Sequence, residues 1–129
     1  MPAQDPSTVL ELVREVRIRD LVGSNGDTRF EASGVFFLDD CLHIIFDDDS
    51  RLLRIRPDWQ NSDGEPVLLD LKGTGAGYED ITYHPSAHRW YCLIEAAETK
   101  SGVSMPRVDE FDESFTFMKS SWLDFPLKA

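Results

Sequence analysis

The chain has 129 residues, 41% of them hydrophobic, with 24 acidic against 13 basic side chains and a formal net charge of −11. That length suffices for one domain with its own core, and two cysteines, Cys41 and Cys92, are too few for a disulfide-stapled scaffold; both read as small buried or half-buried residues. The charge repels a nucleic-acid backbone and an anionic bilayer alike, so the expectation is no nucleic-acid partner and no membrane.

In chain order, residues 1–8 are rich in Pro, Ser and Asp and read as a flexible tail ahead of a single β domain over 9–129. Met1 to Pro6 lack the charged and apolar regions of a secretory signal, and no run nears the roughly eighteen apolar residues of a membrane span, so a soluble, cytoplasmic protein is expected. Val16 and Ile18 alternate with Arg17 and Arg19, which predicts an N-terminal strand over Val13 to Leu21; a short helical turn over Leu10 to Arg14 is the other reading of this region. The turn cluster Gly23-Ser24-Asn25-Gly26-Asp27 ends it.

From Phe30 onward, short strands alternate with turn signals, the pattern of an all-β fold. The first set is Ala32 to Leu38, Leu42 to Phe46, Arg51 to Arg56 and Pro66 to Leu71; the second is Asp80 to His84, Arg89 to Glu95, Pro106 to Phe111 and Phe115 to Phe125. The two sets align. A shift of 48 places Phe30-Glu31 on Tyr78-Glu79, Leu42 on Trp90, Ile45 on Leu93 and Asp47 on Glu95 without a gap. After an insertion of eight residues around Glu98 to Met105, Arg51 falls on Arg107 and Ile55 on Phe111, and a later two-residue deletion sets Leu69-Asp70-Leu71 on Leu123-Asp124-Phe125. Four strands per repeat of this length is the signature of a propeller blade. The expected fold is therefore two tandem four-stranded antiparallel propeller-type blades, about 30–72 and 78–127, plus the N-terminal strand.

Two blades leave outer faces that need covering, by copies of the chain closing a ring, by the rest of a longer protein, or by the two sheets packing as a sandwich. An extra N-terminal strand would fit the ring by completing the outer edge of another blade.

In a propeller the loops that enter the first strand and join the second to the third emerge on one face of the ring. That face would collect Glu31 and Glu79, Asp47 and Glu95, and Arg51 and Arg107. One reading makes this a binding site, with Glu31 and Glu79 offering hard oxygen ligands to a cation such as calcium and the two arginines holding a small anionic ligand. The other makes each acid the ion-pair partner of a nearby arginine.

The remaining motifs point to structure. Asp47-Asp48-Asp49 lacks the spacing of a helix-flanked calcium loop and reads as a solvated acidic turn. Gly73-Thr74-Gly75-Ala76-Gly77 looks like a phosphate-cradling loop but runs into a strand pattern, so it reads as the linker between blades. His84 and His88 flank Pro85 and belong to a turn, no Ser/His/Asp arrangement is evident, and Trp90, Tyr91 and Trp122 are assigned to packing.

Tyr78-Glu79-Asp80-Ile81-Thr82-Tyr83-His84-Pro85, followed by Arg89-Trp90-Tyr91-Cys92-Leu93-Ile94-Glu95, resembles the phytase-like and SdiA-regulated group of bacterial propellers, whose blades carry a Glu-Gly-Ile-Thr-Tyr-type inner strand and an apolar second strand ending in an acid. Phe30 to Val35 is a weaker echo, Pro106 to Phe111 looks like the third strand, and Asp80 stands where the group commonly has Gly. The resemblance implies calcium and a phosphoester ligand at a channel mouth, with Glu31 and Glu79 as the positions that carry over. The functional expectation is a non-catalytic, self-assembling module that binds a ligand or partner through its acidic, Arg-bearing face. The alternative is a calcium-dependent phosphoester hydrolase whose site forms only in the assembled ring.

Overall fold

The computed structural model describes residues 9–23, 29–57, 66–74 and 77–123, with Ala96 by its backbone alone. Within each half, strands of alternating burial pair with the next in sequence, and the result is nearly all-β. β1 (Ala32–Leu38), β2 (Cys41–Phe46), β3 (Arg51–Ile55) and β4 (Val67–Asp70) form one antiparallel sheet in that order; β5 (Asp80–His84), β6 (Arg89–Glu98), β7 (Ser104–Phe111) and β8 (Phe117–Trp122) form the second in the same order. Asp39 and Asp40 both take positive φ, which closes the first hairpin in two residues with a twist that matches the strands. The expected tail over 1–8 lies outside the described residues.

The N-terminal strand is not formed. Ile18–Leu21 is instead a single helical turn, α1, and the described residues before it, Leu10 to Arg14 included, belong to no helix or strand. Helical spacing puts Ile18, Leu21 and Val22 together against Phe46, Leu53 and Ile55, and so covers part of the outer face of the first sheet, while Val35 and Phe37 on the same face stay exposed.

The opposite face of the first sheet meets the second. Ile45 and Leu52 share one core with Tyr78, Ile81, Trp90, Cys92 and Phe111. Close approach of β1 to β5 depends on Gly34, where an added Cβ would lie 3.2 Å from the Ile45 side chain and 3.3 Å from the Asp80 Cα.

Cross-strand pairing tests the alignment of the two halves. Leu42 faces Ile55 as Trp90 faces Phe111, so the middle strands match as the sequence predicts, the insertion lengthening the β6–β7 hairpin through Glu98↔Ser104. The flanking strands do not keep the predicted register. Gly34 faces Ile45 while Asp80 faces Leu93, an offset of 46 rather than 48 in the first strands, because the second hairpin has a longer turn over 85–88. On the other side Arg51 faces Asp70 and Arg107 faces Trp122, and Leu71 donates to the Ser50 carbonyl as Leu123 donates to that of Pro106. Leu71 thus matches Leu123, not Phe125. A slip of two keeps every side chain on its face, so apolar alternation could not detect it.

A buried carboxylate joins the linker to the second sheet. Asp109, fully enclosed at the middle of β7, accepts from the Thr74 N–H and hydroxyl (2.8 Å each) and from the Tyr78 hydroxyl (2.6 Å), with a further hydrogen bond from the Ser120 side chain. Burial pushes the carboxyl up, yet these donors together outweigh it and hold Asp109 below the usual carboxylate range. An added Cβ at Gly73 would fall 2.2 Å from the Tyr78 hydroxyl and 2.7 Å from an Asp109 oxygen. Asp109→Ala, which strands a buried hydroxyl and N–H, should cost about 3 kcal/mol, and Tyr78→Phe about 1.5 kcal/mol. Gly73→Ala should cost about 2 kcal/mol by overpacking. Urea midpoints check all three, and an unchanged midpoint for Tyr78→Phe would remove Asp109 from this role.

Candidate functional site

Antiparallel connection gives each sheet two ends. One carries the start of β1 and the β2–β3 turn; the other carries the β1–β2 turn and the end of β3.

At the first end, the Asp47 N–H donates to the Glu31 carbonyl (3.1 Å) and the Glu31 N–H donates to Asp48 Oδ1 (3.0 Å). These bonds draw the carboxylates of Glu31, Asp47 and Asp48 together, all exposed, with one oxygen from each within 4.8 Å of the others. Three hard oxygen donors gathered in this way are of the type that a cation such as calcium takes. The sequence pointed to Glu31 with Glu79; the chain instead groups Glu31 with Asp47 and Asp48. Glu79 is exposed, and it falls beside the irregularity between Ala32 and Gly34 of the first sheet rather than at the Glu31 position. Glu95 is exposed on β6.

Neither arginine is held as an open anion fork. Arg51 closes on Asp49 through Nε to Oδ1 (2.9 Å) and Nη2 to Oδ2 (2.7 Å), and also lies over the Phe30 ring. That forked bond holds the Asp49 carboxyl below its usual range and raises the guanidinium. Arg51 is thus ion-paired, but with Asp49 of the turn read as solvated rather than with Glu31, Glu79, Asp47 or Glu95, and part of that acidic turn is structural. Arg107 donates from Nη2 to the Thr74 carbonyl (3.4 Å), stacks over Trp122 at 5.0 Å, and keeps a buried Nε without a partner among the described residues.

A different constellation lies at the other end. A cleft of about 450 Å³ opens between the sheets, walled by Asp39, His43, Arg54, Tyr83, Trp90 and Phe115. His43, only 5% exposed, points inward from β2 opposite Arg54 on β3. Its Nδ1 lies 3.2 Å from the Phe36 carbonyl; a carbonyl only accepts, so Nδ1 carries the proton and Nε2 is left as a lone-pair acceptor in the neutral ring. The imidazole packs against Trp90 (4.6 Å), which stacks on Phe115 (4.7 Å). Burial, aided by Arg54, lowers the His43 pKa against smaller opposing contributions from the Phe36 carbonyl and Asp39.

Compared with protein-family models and with curated proteins, the chain matches none.

Sequence reasoning missed this cleft. The one available signal was His43 itself, a polar side chain at an inward position of the apolar run Leu42 to Phe46. Both cysteines are free; Cys92 is buried beneath the core and its thiol is pushed up to about 12, first by burial and then by Asp109 and Asp80. His84 and His88 sit at the β5–β6 turn, His84 Nδ1 accepting from the Ala87 N–H and His88 pairing with Glu113.

Because His43 is harder to protonate folded than unfolded, the unfolded chain binds more protons below the ordinary value of 6.5. Its contribution is complete above that pH and is lost as pH falls from there through the folded pKa. The thermal midpoint should therefore drop between pH 7 and 5, and less steeply in His43→Asn, which keeps a donor for the Phe36 carbonyl. Equal slopes would mean that His43 does not titrate with unfolding.

Proposed function

We propose that the chain is a non-catalytic module of β-propeller type that associates with copies of itself and binds a ligand or partner through the end bearing Glu31, Asp47 and Asp48. The observation that carries the reading is the equivalence of faces. By the pairing offsets, the outward Tyr91, Leu93 and Val108 of the second sheet stand where the first has His43, Ile45 and Leu52, the positions through which it meets the second. A further sheet therefore has a matching surface to dock on, and Leu93 and Val108 already line a small apolar hollow there. Association is expected to use this face, and the exposed Val35 and Phe37 on the partly covered outer face of the first sheet offer a second apolar surface.

Light scattering on a gel-filtration column tests association: a multiple of 14.7 kDa is expected, reduced to the single-chain mass by Leu93→Asp. A monomeric native chain would end the assembly reading.

The convergence of three carboxylates favours a second reading, the calcium-dependent phosphoester hydrolase. Calorimetry should then detect calcium binding that Glu31→Gln weakens about tenfold, one lost charged ligand being worth about 1.4 kcal/mol or more. Calcium-dependent hydrolysis of p-nitrophenyl phosphate that is lost in Glu31→Gln would favour the enzyme, and calcium binding without hydrolysis the module.

A further inference from the structure

The cleft between the sheets combines groups that neither reading uses. Arg54, half-buried on its wall, has no carboxylate partner among the described residues, although the chain carries a large excess of acid. Beside it, the His43 ring is held by the Phe36 carbonyl at Nδ1, by a further backbone contact with Cys41 and by packing on Trp90, with Nε2 as its acceptor. A positive fork and a neutral acceptor side by side suit a carboxylate with a neighbouring donor. The lining also includes apolar Leu38, Trp90 and Phe115 and the Tyr83 ring, and the volume of about 450 Å³ is in the range of small-molecule sites. Asp39 and Glu113 also line the cleft, and Glu113 is engaged by His88 and the Tyr83 hydroxyl. Their charge disfavours phosphates and other polyanions but tolerates a monoanion.

We infer that this cleft binds a small hydroxy-aromatic acid, its carboxylate on Arg54, its hydroxyl donating to His43 Nε2, and its ring against the Tyr83 and Phe115 side. The inference is independent of self-association and of the acidic end, so its failure would leave both untouched.

The test is titration of ¹⁵N-labelled full-length protein with 2-, 3- and 4-hydroxybenzoate, benzoate and inorganic phosphate, following the histidine ring nitrogens by NMR. A saturable shift of His43 Nε2 is expected with at least one hydroxybenzoate. Benzoate, without the donor, should bind about tenfold more weakly, and Arg54→Gln should lower hydroxybenzoate affinity about tenfold to a hundredfold. Folding of the variant is judged by an unchanged amide spectrum away from the cleft; should it unfold, Arg54→Lys, a cation without the fork, is expected to weaken binding at least severalfold. No saturable His43 shift with any isomer, shifts confined to His84 and His88, undiminished binding in the folded variant, or tighter binding of phosphate would each overturn the inference.

Discussion

The Asp109 carboxylate is the interaction on which the arrangement of the second sheet depends. It is removed from water at the centre of β7, and an ionised group there is tolerated only if its lone pairs are met. The donors come from three places: Thr74 on the linker, Tyr78 at the entry to β5, and Ser120 on β8. Satisfying one charge therefore fixes where the linker runs and how β5 and β8 sit relative to β7. Gly73 is part of the same device, because a side chain there would occupy the space taken by the Tyr78 hydroxyl. A glycine-rich segment that looks built for an external phosphate instead puts Thr74 on an internal carboxylate.

The two sheets follow one plan but finish differently. The outer face of the first is partly covered by Ile18, Leu21 and Val22, which a single helical turn brings to bear together, with Val35 and Phe37 left exposed beside them. On the second, Thr82, Glu110 and Ser121 replace Phe36, Arg54 and Leu69 at matching ladder positions, so that a band of half-buried Tyr91, Leu93 and Val108 is bordered by polar groups. An apolar strip with a polar border is how association surfaces differ from a cut-open core.

The charges divide by commitment. Asp49 and Arg51 satisfy each other, and Arg107 is spent on Thr74 and Trp122. Glu31, whose carboxylate lies 3.8 Å from the Arg29 guanidinium, stays exposed and crowded with Asp47 and Asp48, while Arg54 and His43 sit partly or largely out of water. The sheets thus present acidic oxygen donors at one end and a cation beside a neutral acceptor at the other.

The sequence by itself determined the four strands of each sheet, the order of pairing and the matching of the middle strands, because turn residues and period-two burial act locally and survive without knowledge of neighbours. It also exposed the charged residues from which the acidic cluster is drawn. The register of the flanking strands, the helical turn in place of a strand, and the partners of Glu31 were decided by tertiary structure. Side-chain alternation repeats every two residues, so a slip of two costs no burial, and only turn length and the Asp109 hydrogen bonds select among the alternatives. The cleft was hidden for a related reason. His43 and Tyr83 come from different sheets, and nothing in the pattern of either strand says that packing will set them across from each other.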